Sequence, residues 1–143
     1  MLKRLYAAFC GRVAAGADAA LLAVRLMLAY GFFEPALNKW RDIEGTAAWF
    51  GESLEMPFPL LNTFLAAGTE ALGVVLLTLG LATRLIALSL MVVMGVAIVT
   101  VHLGNGFSCG NNGFEIPFYY LLFLIVLLTN GAGRYSLDRK LGL

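Results

Sequence analysis

Long apolar runs separated by short polar segments organise this sequence. Four of these runs approach the roughly 20 residues that a helix needs to cross a bilayer. Helices are favoured because a lipid-exposed backbone must satisfy its own hydrogen bonds, and the runs are too long and continuous for barrel strands. The pattern therefore predicts an all-α integral membrane protein, an antiparallel four-helix transmembrane bundle. Its expected spans are 17–33, 60–82, 85–103 and 114–129.

Two other segments flank the first run. The segment 34–58 mixes acids, amides and aromatics, which predicts one or two short interfacial helices with Trp40 and Trp49 at headgroup level. The N-terminal segment places its apolar residues at helical spacing, which predicts a short amphipathic helix on the inner membrane surface. Those apolar residues are Leu2, Leu5, Tyr6, Phe9 and Val13.

The composition supports a membrane protein of one domain, residues 1–143. The chain is 60% hydrophobic and 13% charged, against roughly half and about a quarter in soluble domains. A net charge of +1 without a basic stripe excludes a nucleic-acid partner. The two cysteines, Cys10 and Cys109, form no CxxC motif, so a dense disulfide framework, a zinc ribbon and a thioredoxin-type dithiol are excluded.

The positive charges predict the orientation in the membrane. Seven Lys and Arg residues fall on one side of the expected spans and two on the other. Because cytoplasmic loops carry the excess of Lys and Arg, we expect a bacterial inner-membrane protein with both termini in the cytoplasm. The loop 104–113 would then face the periplasm. The seven are Lys3, Arg4, Arg12, Arg84, Arg134, Arg139 and Lys140, and the two are Lys39 and Arg41.

Two charged residues lie inside the expected spans. Such residues are costly in lipid, and they tend to face the bundle interior and to pair. Counted from Glu34 and Pro59, both Arg25 and Glu70 lie about 14–16 Å below the outer face. On adjacent antiparallel helices this predicts an Arg25–Glu70 ion pair, which would serve either chemistry or the helix register alone.

A second set of polar residues lies at the outer ends of the spans. Glu34 ends the first run, His102 ends the third and Glu115 begins the fourth. Lys39 and Asn105 are close to the same level. The glycines of the loop 104–113 permit a tight turn. We therefore expect these side chains to converge at the mouth of the bundle.

Three roles for this mouth remain open at the level of the sequence. A transition metal would be held by His102 and Glu115, with Glu34 and Cys109 as further candidate ligands, although no HxxH or ExxH spacing supports it. A quinone or other lipid-soluble ring would use His102 and Glu115 to exchange protons. The third role is the capping of helix ends, with His102 satisfied by Glu115 or an amide.

Five stretches in order resemble the DoxX family of small four-helix membrane proteins. The resemblance covers nearly the whole chain after residue 20, and the GFFEPALNKW, AAWF and GFEIPFYY variants look most like its HvfX branch. The stretches are RLMLAYGFFEPALNKW at 25–40, TEALGVVLLTLGLATRL at 69–85, VHLGNGF at 101–107, NGFEIPFYYLLFL at 112–124 and GAGRYSLDRKL at 131–141.

This resemblance implies a link to redox chemistry. Members are associated with a thiosulfate:quinone oxidoreductase subunit and with thiol or oxidative-stress complexes. The HvfX branch is associated with operons for copper-binding peptides that are ribosomally made and then modified (RiPP maturation). The family's recurring polar positions map onto Arg25, Lys39, Glu70, His102, Asn105 and Glu115.

Two functional hypotheses of different classes follow. In the first, the protein is a quinone-linked oxidoreductase component in which Glu70, His102 and Glu115 handle protons, Arg25 sets the local field, and Glu34, Lys39 and Asn105 bind the cofactor. In the second, it is a non-catalytic binding or export module for a peptide, a metal or a lipid. Both hypotheses expect the bilayer and other proteins of a redox or RiPP-maturation system as partners, and the small-residue faces are compatible with a homodimer.

Overall fold

The computed structural model describes the backbone of all 143 residues and every side chain except that of Arg12. That arginine's expected place among the cytoplasmic charges therefore lies outside the described side chains. The described chain is all-α and contains no strand. Its helices are α1 (Leu2–Ala14), α2 (Ala17–Arg41), α3 (Ile43–Glu52), α4 (Pro59–Leu79), α5 (Thr83–Ala97), α6 (Glu115–Asn130) and α7 (Leu137–Leu141).

Three helical segments are long and apolar enough to cross a membrane: Ala17–Arg41, Pro59–Leu79 and Thr83–Asn105. The third combines α5 with the helical turns that follow it. The apolar α6 has 16 residues, and it is a shorter helix than these three. The three long segments agree with an integral membrane protein.

The first long helix differs most from the expectation. The sequence predicts an end at residue 33, whereas α2 continues to Arg41 through Pro35. It ends at Asp42, whose side chain accepts a hydrogen bond from the backbone N–H of Gly45 and so caps the start of α3. The apolar run stops before the helix does, because the last two turns of α2 carry the exposed polar residues Glu34, Asn38 and Arg41, together with Lys39, which packs against α4.

The four long helices share one hydrophobic core. Leu28 and Phe32 of α2 pack in it with Leu77 of α4. Close contact between α4 and α5 depends on Gly73, since a Cβ there would lie 2.9 Å from a methyl carbon of Leu90. The core on α5 and α6 consists of Ile86, Ala87, Leu90, Met94, Leu124 and Leu127.

The two ends of the molecule are formed by different segments of the chain. The terminal end holds α1, the α4–α5 turn and the segment from 131 to the C-terminus, and the loop end holds α3 and the loop 103–114. At the terminal end, the Asp138 carboxylate accepts hydrogen bonds from the N–H groups of Ala82 and Thr83 at 2.6 and 2.9 Å. These bonds fasten the C-terminal segment to the start of α5.

The helix α1 exposes both of its faces. Its apolar residues are 58–82% exposed. This exposed apolar stripe agrees with the amphipathic helix that the sequence predicts, and its place on a membrane surface stays a prediction. The stripe comprises Leu2, Leu5, Tyr6, Phe9 and Val13.

Candidate functional site

A cavity of about 750 Å³ lies between α3, α4 and α5 near the loop end. Most of its wall is apolar, and α3 with the loop after it covers one side. Volume and lining are typical of sites that hold a small organic ligand, which pair an apolar wall with a few polar groups. The apolar wall includes Phe50, Leu54, Met56, Leu65, Val92 and Val96, and the polar groups include Lys39, Thr69, Glu70, Ser89, His102 and Asn112.

A buried ion pair forms one side of this cavity. The Lys39 ammonium lies 3.0 and 2.9 Å from the two carboxylate oxygens of Glu70. The Lys39 side chain is 20% exposed and the Glu70 side chain only 3%. Next to it, the Trp40 indole donates to the Ala67 carbonyl at 3.1 Å and fixes the end of α2 against α4. The cation that pairs with Glu70 is therefore Lys39, in the last turns of α2.

The predicted Arg25–Glu70 ion pair is therefore wrong. The antiparallel register that sets Lys39 opposite Glu70 leaves Arg25 about 21 Å away along α2, at 1.5 Å per residue. Arg25 is fully buried at the terminal end, where its Nη2 donates to the Tyr135 carbonyl at 2.6 Å and a guanidinium nitrogen faces Gly80. The depth estimate failed because it counted from Glu34, which is not the end of the helix.

His102 reaches the cavity from an irregular turn. Residues Ile98–His102 form one π-helical turn directly after α5, a feature that often marks functional positions in helices. The Nδ1 atom of His102 lies 2.9 Å from the Asn112 backbone carbonyl. A carbonyl only accepts, so this contact requires a hydrogen on Nδ1, and Nε2 carries the lone pair of the neutral ring. His102 can therefore accept or donate a proton through Nε2.

The loop 103–114 is held against the end of α5 by amides. The Asn105 side chain donates to the carbonyls of Val101 and Asn112, at 3.1 and 3.2 Å. Gly113 is packed so closely under the loop that a Cβ would collide with the backbone at Gly106. Asn105 thus positions the loop and the carbonyl that orients His102, and it does not line the cavity itself.

Glu115 lies in the same loop region but outside the cavity lining. Its carboxylate accepts from the Cys109 backbone N–H at 3.0 Å and from the Tyr119 hydroxyl at 3.2 Å. The Cys109 thiol is exposed, and a hydrogen bond to the Glu115 carboxylate, together with its charge, raises the pKa of that thiol above its ordinary value. Glu115 therefore links the loop to the start of α6. It also makes the Cys109 thiol poorly reactive, because the thiolate is the reactive form and the raised pKa disfavours it.

The described residues contain no group of three or more His, Cys, Asp and Glu side chains that could hold a metal ion. His102 and Glu115 form hydrogen bonds with different partners: Asn112 for His102, and Cys109 and Tyr119 for Glu115. Glu34 is exposed on α2 and does not line the cavity. The transition-metal site at His102, Glu115 and Glu34 thus stays a prediction, and this geometry does not bring those side chains together.

The sequence pattern did not predict that α3 covers the cavity or that small hydroxyl residues line it. Phe50 is only 8% exposed because α3 folds back on α4, and no local pattern distinguishes that from an interfacial helix. The hydroxyls of Ser89 and Thr100 lie along the wall, bonded to carbonyls one turn earlier in their own helix. Small polar residues at positions that share one face of an apolar run were the available signal.

Comparisons with known proteins place these features in a family. The sequence profile described as DoxX matches residues 20–103. An uncharacterized protein of Haemophilus influenzae is 36% identical over 136 residues, which covers 90% of this chain and 87% of that protein. The Bacillus subtilis protein named "Putative oxidoreductase CatD" is 34% identical over 119 residues, with 82% and 83% covered. No solved structure matches.

Proposed function

This chain belongs to the DoxX family, and on that basis we propose that it binds a lipid-soluble quinone as one component of an inner-membrane oxidoreductase system. The observation that carries the proposal is the single cavity lined by Lys39, Glu70 and His102. Apolar walls from membrane-type helices would admit a ring from the lipid phase, and Lys39 and His102 would bond its oxygens while Glu70 holds Lys39 in place.

The residues present fit such a ring. A quinone needs a flat apolar slot and hydrogen-bond partners for its carbonyl oxygens, and the cavity provides both types of surface. The Lys39 ammonium donates two hydrogen bonds to Glu70, so its third N–H is free for a ligand oxygen. On the other side, His102 presents Nε2, because Nδ1 is engaged by the Asn112 carbonyl. Nε2 would accept from a hydroxyl of the reduced ring, and it would donate to a quinone oxygen once it carries a proton.

When bound, a quinone supplies the electron chemistry, since it takes up two electrons and two protons on reduction. The chain's own residues bind, orient and move protons. His102 Nε2 would exchange a proton with a ligand oxygen, and the Glu70 carboxylate would keep Lys39 charged and aimed into the cavity. Arg25, Glu34 and Glu115 have no part in this proposal, because none of them lines the cavity.

The electrons would come from partner proteins. The name of the Bacillus subtilis relative supports an oxidoreductase role, and the resemblance of 31–40 to the HvfX branch supports copper-peptide maturation as one setting. The chain contains no dithiol motif of its own, so a partner would have to supply the redox centre.

The ligand proposal is tested by extracting lipids from gently solubilised protein and measuring quinone per protein by mass spectrometry. We expect near-stoichiometric quinone in the wild type and a loss of about tenfold or more in Glu70→Gln and His102→Ala, since a hydrogen bond to a charged group contributes about 1.5–3 kcal/mol. Glu34→Gln makes the same charge change as Glu70→Gln on the exposed surface of α2, and it should retain the wild-type amount.

Quinone that persists in both cavity variants would contradict this site. Phospholipid as the sole ligand in all samples would contradict the quinone and favour the alternative hypothesis, a non-catalytic module for binding or export.

We also propose that α2, α4, α5 and α6 are four antiparallel spans with both termini in the cytoplasm. The charge distribution supports this, as does the position of the two exposed cysteines at opposite ends of the molecule. In intact bacterial cells, a membrane-impermeant maleimide should label Cys10→Ser protein, which keeps Cys109, and should not label Cys109→Ser protein until the cells are lysed. Labelling of Cys10 in intact cells would instead indicate the opposite orientation, with the termini outside the cytoplasm.

The raised pKa of the Cys109 thiol affects how fast the maleimide labels it. Because its thiol pKa is raised by Glu115, the thiolate fraction rises only at more alkaline pH, and labelling is expected to be slow at neutral pH. Glu115→Gln removes the carboxylate charge, so it should shift the rate profile to lower pH.

A further inference from the structure

A second cavity, of about 890 Å³, lies at the terminal end of the molecule. It is formed by the start of α5, the end of α6 and the C-terminal segment, on the opposite side of the hydrophobic core from the proposed quinone site. Three arginines line it, Arg84, Arg134 and Arg139, and all three are exposed. None of their guanidinium groups forms a salt bridge with a described carboxylate.

The acids in this cavity are already engaged. Asp138 accepts hydrogen bonds from the first N–H groups of α5, at Ala82 and Thr83. Asp18 accepts from the Arg134 backbone N–H at 2.8 Å. These carboxylates satisfy backbone donors, so the positive side chains are left to a ligand from outside the chain.

A buried hydroxyl group without a hydrogen-bond partner also indicates a ligand at this cavity. Thr83 is fully buried in the cavity wall, and its hydroxyl has no hydrogen-bond partner among the described residues. The Arg84 guanidinium, in contrast, donates to the Leu128 and Thr129 carbonyls at the end of α6, at 3.2 and 3.4 Å. The guanidinium groups of Arg134 and Arg139 form no hydrogen bond to a described carbonyl, and Arg134 lies only over the Tyr135 ring, 5.8 Å from its centroid. They are therefore the cations that can turn toward a ligand.

The surface beside the cavity is apolar. Leu85 lines the cavity and is 68% exposed, and an exposed apolar stripe continues from it along α5 at helical spacing. Cations at the end of a stripe of this kind match the two parts of a lipid, a charged headgroup and an acyl chain. The stripe consists of Leu85, Leu88, Val92, Val96 and Val99.

We propose that this cavity binds the phosphate group of an anionic phospholipid from the leaflet at the terminal end, with an acyl chain along α5. The stripe favours a lipid over free phosphate, because a free anion gains nothing from apolar surface. Arg134 and Arg139 would hold the phosphate, and the bound lipid would join α5, α6 and the C-terminal segment. The phosphate site does not depend on the quinone proposal, since the two cavities share no lining residue. The acyl-chain stripe does pass Val92 and Val96, which also line the quinone cavity.

Native mass spectrometry of the detergent-solubilised full chain, titrated with phosphatidylglycerol or with phosphatidylcholine of the same acyl chains, tests the proposal. We expect a clear preference for phosphatidylglycerol. The double variant Arg134→Gln/Arg139→Gln should weaken that binding roughly thirtyfold, at about fivefold for each basic residue near a lipid surface. Asp18→Asn keeps an acceptor for the Arg134 N–H but removes a negative charge, so it should strengthen the binding.

A matched control separates a site from general attraction. Lys3→Gln/Arg4→Gln removes the same charge from α1 at the same end, outside the cavity lining, and it should leave the preference nearly unchanged. Equal weakening in both double variants would overturn the proposal in favour of diffuse attraction. Equal stabilisation by inorganic phosphate and by phosphatidylglycerol, measured by thermal melting, would overturn the lipid as ligand. Thermal melting of each variant without lipid verifies that it is folded.

Discussion

Lys39→Met should lower the free energy of unfolding by about 3–5 kcal/mol, the usual cost of removing one partner from a buried ion pair. Glu70 is 3% exposed, and both of its carboxylate oxygens are bonded to the Lys39 ammonium. Without Lys39, the carboxylate must take up a proton or remain as an uncompensated charge among apolar side chains. Unfolding in mixed detergent micelles, followed by the fluorescence of Trp40 and Trp49, measures the change.

Two further variants test whether that loss of stability comes from the buried ion pair. Lys39→Met/Glu70→Met removes both charges, so it should recover most of the stability lost in the single variant, because a buried pair replaced by apolar residues is often neutral. Arg41→Met removes an exposed cation two residues further along α2, and it should change stability by no more than about 0.5 kcal/mol. A Lys39→Met protein as stable as the Arg41→Met protein would refute the buried pair.

Gly80→Ala should destabilise the protein on the order of 3 kcal/mol, through two effects at one position. Gly80 ends α4 in the left-handed conformation, with φ of 64° and ψ of 45°, where an L side chain costs about 1–2 kcal/mol. A Cβ there would also overlap the Arg25 guanidinium, which is fully buried and bonded to the Tyr135 carbonyl. Thermal and denaturant unfolding in detergent measure the loss.

Gly142→Ala is the matched control for the backbone effect. Gly142 also ends a helix in the left-handed region, with φ of 74° and ψ of 28°, and a Cβ there would meet no atom within 4 Å. It should cost about 1–2 kcal/mol, the backbone effect alone, since it lacks the collision. Similar losses in the two variants would show that Arg25 does not pack against Gly80 as described.

The role of Arg25 changes most between sequence and structure. Its position in an apolar run marks it as functional, since an intramembrane charge is by default a candidate site. In the fold it holds the C-terminal segment against the α4–α5 turn through Tyr135 and Gly80. A charge in a span shows that a partner exists, and the identity of that partner depends on which segments meet at the same depth.

Lys39 is the residue whose partner the sequence did not predict. From the sequence it belongs to a polar connection after the first apolar run, close to the membrane surface. The structure extends α2 by two turns, and the side chain then reaches Glu70. Hydropathy detects lipid-facing residues, so it cannot detect helical turns whose polar side chains face other protein.

The sequence by itself determined the helical class, the places where most long helices begin, and two polar positions that line the cavity, because hydropathy and helix-forming tendency act locally along the chain. Glu70 and His102 were identified in this way. The tertiary structure alone decided that α2 continues to Arg41, that α3 covers a cavity, and that the π-helical turn brings His102 to it. These features depend on the antiparallel register and packing of separate helices, which join residues far apart in the chain, and no local pattern encodes such contacts.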